Sequence, residues 1–175
     1  MKDRIKTCKT AVPLLLMDID GVLSLFGFAS SERPPGSWIQ VDGSPHFISA
    51  DARSHLLALG DLFEIVWCSG WEERANEHLP ALLGLPGALP YLSFDRNPGR
   101  DRAHWKLAAI DAHAGPDRPL AWVDDALNDA CDTWAAQRGA PTLLVRTEPA
   151  VGLTADDVSE LSGWALDVGD GRAAG

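Results

Sequence analysis

Residues 14–22, LLLMDIDGV, begin as an unbroken apolar run and stop abruptly in two carboxylates and a glycine. A run without polar alternation predicts a strand buried on both faces, as in the middle of a parallel sheet. Side chains two apart leave a strand on the same side, so Asp18 and Asp20 are expected to project together at its end, where Gly21 lets the chain turn away. Similar runs recur at 62–68 (LFEIVWC), closing in Ser69-Gly70, and at 120–123 (LAWV), closing in Asp124-Asp125. Shorter pieces at 91–94 and 142–145 supply a third and a fifth strand.

Helical spacing fills the intervals. Ala52, Leu56 and Leu59 mark a helix capped by Ser49 or Asp51 and stopped by Gly60. A second helix starts near Trp71 and is broken or restarted at Pro80. Asp101 is expected to cap a third, with Arg102, His104, Trp105 and Lys106 in its first turns. A fourth spans 127–137, and Thr154 with Asp157 forms a capping-box start for a last one reaching Trp164. Residues 38–41 and 46–49 flank Asp42-Gly43, a hairpin signal, and are placed as a flap above the end of the first strand. The alternation predicts an α/β fold: a three-layer, doubly wound, Rossmann-like parallel sheet of about five strands with helices on both faces.

Composition narrows the class. The length of 175 residues suits one domain, with a core at 12–168 and tails at 1–10 and 169–175. A net charge of -10 argues against a simple duplex-binding surface, which is normally basic, but leaves room for a local patch such as Arg96, Arg100 and Arg102. The basic residues Lys2, Arg4, Lys6 and Lys9 precede an apolar segment too short to span a bilayer, so neither a secretory signal nor a membrane anchor fits and a cytoplasmic setting is expected. Cys8, Cys68 and Cys131 are odd in number and widely spaced, as expected of reduced thiols.

Crossovers bring the carboxyl ends of parallel strands to one edge, where Asp18, Asp20, Ser69, Asp124 and Asp125 would converge. A set made only of oxygen donors suits Mg²⁺ rather than zinc, and Lys106 can supply the balancing positive charge. Each element alone has a plainer explanation: an Asp-rich turn, a strand-end serine, a solvated helix lysine.

Taken in order, MDIDGV, WCSGW, HWK and WVDDALND resemble the four motifs of the haloacid dehalogenase (HAD) superfamily of phosphotransferases. The segments IVWCSGWE and LAWVDD also look like a narrower group, the small HAD domains associated with RNA-repair ("Swiss army knife") proteins. The resemblance implies a Mg²⁺-dependent phosphatase working through an aspartyl-phosphate on Asp18, with Asp20 as general acid and base. It implies that Ser69, the Gly70 backbone and Lys106 hold the phosphoryl group; Trp71, which follows that loop and is otherwise core or rim, and Arg100 of the basic patch are candidate substrate contacts by position. It places Mg²⁺ on Asp18, the backbone carbonyl of Asp20 and an acid of the fourth strand, Asp125 in preference to Asp124, with Asn128 or Asp129 further out.

Capped members of that superfamily carry an inserted domain after the first or third strand, and neither interval here has room for one. An open site suits a phosphate on a large substrate such as a polynucleotide end. The alternatives are a small phosphoester, a nucleotide or sugar phosphate, and a non-catalytic binding module, which has little need of an acid at Asp20.

Overall fold

A computed structural model describes residues 12–95 and 104–171. The chain runs β1 (Leu14–Met17), β2 (Ser24–Leu25), a 3-10 turn (Ser30–Glu32), β3 (Gly36–Val41), β4 (Ser44–Ser49), α1 (Ala52–Gly60), β5 (Glu64–Trp67) and α2 (Arg74–Leu83). It continues with α3 (Leu107–Ala114), β6 (Leu120–Asp124), α4 (Asp129–Gln137), β7 (Thr142–Arg146) and α5 (Ala155–Gly169). Strands β5-β1-β6-β7 form a four-stranded parallel sheet in that order, and β2-β4-β3 a separate three-stranded antiparallel one. The fold is therefore α/β with β1 central, as its apolar run requires.

Strand alternation divides the core into two layers. Leu15 and Met17 of β1, Ile65 and Trp67 of β5, and Ala121 and Val123 of β6 pack with Leu56 and Leu59 of α1, Leu79 of α2 and Leu161 of α5. Leu14, Leu16, Val66, Leu120 and Trp122 face the other way, onto Leu107 and Ile110 of α3 and Cys131 of α4. Among the described residues both faces of the sheet are thus covered, and the polar residues stand at its carboxyl edge, where ligands bind in open α/β sheets.

Several local expectations are corrected. The third strand shrinks to one bridge, Trp67 to Tyr91: the Trp67 amide donates to the Pro90 carbonyl and the Leu92 amide to the Trp67 carbonyl, both at 2.8 Å. Among the described residues the parallel sheet has four strands where about five are expected, since Pro90 opens the segment and it finds one neighbour, Trp67. Pro80 does not break α2 but lies inside it; the helix ends at Gly84, whose φ of 57° permits the left-handed cap. His104, Trp105 and Lys106 precede α3 rather than occupying its first turns. Asn128 caps α4, accepting from the amides of Ala130 and Cys131, and so delays its start relative to residue 127. The capping box of Thr154 and Asp157 is complete, and α5 continues past Trp164 to Gly169.

The hairpin is present with a third strand added. Asp42 and Gly43 both have positive φ, 51° and 80°, as a tight turn between right-twisted strands needs. Strand β2, which follows the turn at Gly21, pairs with β4 and so fastens this flap to the end of β1. The basic segment Lys2 to Lys9 with Cys8, and Arg96, Arg100, Asp101 and Arg102, lie outside the described residues. No helix among the described residues is long and apolar enough to cross a membrane.

Candidate active site

The end of β1 places Asp18 by continuing the ladder, its amide donating to the Val123 carbonyl at 3.0 Å. Its carboxylate is nearly buried, with 7% of the residue exposed. Oδ1 accepts from the Ile19 amide at 2.8 Å, and Oδ2 lies 2.7 Å from Lys106 Nζ. Lys106 Nζ also lies 2.6 Å from Asp124 Oδ2. One buried ammonium thus joins the acid of β1 to the acid of β6.

Burial pushes the Asp18 carboxyl up to about 7; the Lys106 charge opposes that rise and the Asp124 charge adds to it. Burial alone would lower Lys106, but the charges of Asp18 and Asp124 outweigh it and hold the ammonium above its ordinary value. Lys106 is fixed from behind as well. Its amide donates to His104 Nδ1 at 3.3 Å, and its Nζ stands 5.2 Å from the centre of the Trp105 ring. Burial lowers the His104 imidazole below its ordinary value, and its ring packs edge-on against Trp122.

Asp124 is completely buried and its oxygens are committed: Oδ2 to Lys106 and to Trp122 Nε1 at 3.1 Å, Oδ1 to the Ala126 amide at 2.9 Å. Asp125 is only half-buried, and burial followed by the Asp124 charge raises its carboxyl. One oxygen each from Asp18, Asp124 and Asp125 lies within 4.8 Å of the others. An ion with ligands at about 2.1 Å accepts donors up to about 4.2 Å apart, so small adjustments would seat Mg²⁺, and the all-oxygen donor set suits it. Gly21 is needed beside this cluster: its φ is 75°, and a Cβ there would sit 2.5 Å from Asp125 Oδ2. The buried Thr147 hydroxyl holds the Gly21 carbonyl at 2.8 Å.

Asp20 has different company. Its side chain is 47% exposed; Oδ2 accepts from Trp71 Nε1 at 2.8 Å, and Oδ1 lies 3.3 Å from His46 Nδ1 on the flap. The same His46 nitrogen is 3.1 Å from Ser24 Oγ, and the ring meets Trp71 edge-on. Sequence reasoning gives His46 no role beyond an ordinary polar residue of the hairpin and Trp71 only a substrate contact, and neither reading contains this clamp. The available signal was the hairpin, placed above the strand end.

Ser69 is buried at the end of β5, and Gly70 opens a tight loop in which the Glu72 amide returns to the Ser69 carbonyl at 3.0 Å. Glu72 itself has a φ of 50°, an uncommon value for a side-chain-bearing residue, which marks the loop as shaped by its surroundings. Cys68 is wholly buried, and burial drives its thiol far above the range in which a thiolate forms, so it is packing and not a nucleophile. Asn128 and Asp129 serve the start of α4.

A parallel sheet with acids at its carboxyl edge, a lysine joining two of them and a third acid in the same oxygen cluster is the arrangement of a Rossmann-like domain of the HAD class. The family model described as "HAD domain in Swiss Army Knife RNA repair proteins" matches residues 14–158, and the chain belongs to that family. Membership points to hydrolase or phosphatase chemistry. No curated protein matches the chain.

Proposed function

We propose that this domain is a Mg²⁺-dependent phosphatase acting through an aspartyl-phosphate, with a phosphorylated macromolecule such as a polynucleotide end as substrate. The observation that carries the reading is the Lys106 ammonium held 2.7 Å from Asp18 and 2.6 Å from Asp124, with Asp125 beside them. A structural ion pair needs one carboxylate; a third acid gathered at the same point suits a cation and a phosphate arriving together.

Asp18 Oδ2 attacks phosphorus and the ester oxygen leaves with a proton from Asp20. Asp20 then takes a proton from water, which attacks the aspartyl-phosphate and frees Asp18. Lys106, released from part of its pairing when Asp18 is phosphorylated, stays within reach of the phosphoryl oxygens. Ser69 and the amides of the Gly70 loop provide further donors. Asp18 and Asp125 would hold Mg²⁺, with the Asp20 carbonyl; bound there, the ion offsets the repulsion between carboxylate and phosphate. Asp124 positions Lys106.

The flap gives weight to a second reading. Because His46 reaches Asp20 from β4, the flap stands over the site, as a small phosphoester such as a nucleotide or sugar phosphate would require. A phosphoester panel, with and without EDTA, tests the first reading: phosphate release should need Mg²⁺ and disappear in Asp18→Asn. Faster turnover of mononucleotide than of 5′-phosphorylated oligonucleotide selects the second. Undiminished release by Asp18→Asn would overturn the mechanism, and no release from any ester would leave a binding module.

A further inference from the structure

A cleft of about 490 Å³ opens between the flap and the end of β1, and Asp20 and His46 form its inner wall. Its outer wall is aromatic: Phe26, Phe28 and Trp38. Phe26 is 50% exposed and Trp38 is 55% exposed, which is unusual for rings that could turn inward. They are not loose. Trp38 and Phe28 both pack edge-to-face on the buried Phe47, with centroids 5.2 Å and 5.0 Å away, and lie 6.4 Å from each other. The result is a braced platform whose outer faces meet solvent.

We propose that this cleft is the leaving-group subsite and that it takes the base of the nucleotide bearing the phosphate, stacked on Trp38 and its neighbours. The inference rests on the phosphatase reading, in which Asp20 protonates the leaving oxygen. Whatever is joined to that oxygen must then lie on the Asp20 side of the phosphate. A second cavity, of about 590 Å³, lies beyond the Gly70 loop, and Asp20 is absent from its lining. Its described walls carry Glu72, Glu73 and Asp95 against Arg74, a poor surround for a further nucleotide phosphate. Both clefts offer rings, Trp71, Phe94 and Trp105 in the second, but among the described residues only the flap cleft holds Asp20, and it holds no other carboxylate. Ring stacking accepts any base, which suits an enzyme that works on ends rather than sequences.

The test uses fluorescence anisotropy of end-labelled oligonucleotides, 5′- or 3′-phosphorylated, whose terminal phosphorylated residue is either normal or abasic. Measured in an Asp18→Asn background, the normal end should bind about tenfold tighter than the abasic end for at least one polarity. Adding Trp38→Ala should erase that difference, and Trp38→Phe should keep most of it. A mononucleotide competitor that displaces the oligonucleotide at equal concentration assigns the subsite to free nucleotides; one that fails assigns it to chain ends. Equal binding of normal and abasic ends, or an equal loss for both with Trp38→Ala, overturns the proposal. Acetyl phosphate, which carries no ring, separates the two readings. With Asp18 intact, the wild-type protein should hydrolyse it in a Mg²⁺-dependent reaction. Failure of wild-type protein to hydrolyse either this acyl phosphate or any phosphoester counts against the phosphatase reading, while the binding comparison still decides the subsite.

Discussion

Replacing Lys106 by Met removes the single cation that joins two carboxylates while keeping a side chain of similar length. Lys106 is 2% exposed, Asp124 is wholly buried and Asp18 nearly so, so water cannot take over the ammonium's role. Oxygens of Asp18 and Asp124 lie within 4.8 Å. At an effective dielectric constant of about 20, two unit charges at that distance repel by about 3.5 kcal/mol. That agrees with the 3–5 kcal/mol typical of deleting one partner of a buried pair, roughly 3–5 here. For a domain of this size the loss corresponds to about 6–20 °C in Tm. The assay is urea unfolding at pH 8 in EDTA, for wild type, Lys106→Met, Asp18→Asn and the double variant. The double variant should recover most of the loss, since one of the two stranded charges is gone, and this non-additivity is the signature sought. The penalty should also shrink as pH falls, because without the Lys106 charge that opposes the effect of burial Asp18 takes up its proton more readily than in the wild type. A loss under about 1 kcal/mol, or additive single losses, would show that the ammonium is not compensating the two acids.

Asp18 also sets a pH dependence. Its folded value of about 7 exceeds the ordinary 3.8, so the stability it contributes is present below pH 3.8 and is lost as pH rises through about 7. Metal-free wild type should therefore lose stability across that window relative to Asp18→Asn; parallel thermal-melting curves would refute it. Gly21→Ala forces a positive φ on a residue with a Cβ and drives that atom into Asp125, so a loss of about 1–3 kcal/mol is expected. The same variant should lose the Mg²⁺-induced rise in Tm. His46→Ala frees one oxygen of Asp20 and should lower kcat about tenfold for an alkyl phosphate with KM little changed. With para-nitrophenyl phosphate, whose leaving group needs little protonation, the effect should nearly vanish; an equal loss on both esters would assign His46 a merely structural role.

What was legible in the sequence followed from local physics. The apolar runs at 14–17 and 120–123 cannot be solvated strands, so they had to be central, and the acids that end them had to share an edge. The lysine was legible only in part. Asp101 and the residues after it resemble a helix start, yet the chain holds 104–106 in a turn so that Lys106 can point back between two strands. No local pattern encodes that demand. The piece at 91–94 had the composition of a strand, but ladder pairing depends on neighbours, and its Pro90 and edge position left it one bridge. The clamp on Asp20 was equally hidden, since Trp71 lies 51 positions away in sequence. A contact of that kind is fixed by how β5 and the flap meet β1, not by any residue's own preference.

The two acids of the first strand end diverge, which period-two alternation did not foresee. Strand β1 ends at Met17, and only Asp18 remains in the ladder; Asp20 already bridges to Ser24 of the flap. One carboxylate therefore sits in the rigid interior against α3 and β6, and the other half in solvent between the flap and the Gly70 loop. Two acids with opposite surroundings suit two tasks: a nucleophile must not move, whereas a proton carrier must meet both a leaving group and a water. On the phosphatase reading, because Asp20 is the acid tied to the flap, displacement of β3 and β4 by a large substrate would alter proton delivery before it disturbed Asp18. An enzyme built that way would admit esters of very different size while keeping Asp18 and Lys106 in place, and its selectivity would lie in the flap rather than in the phosphate pocket.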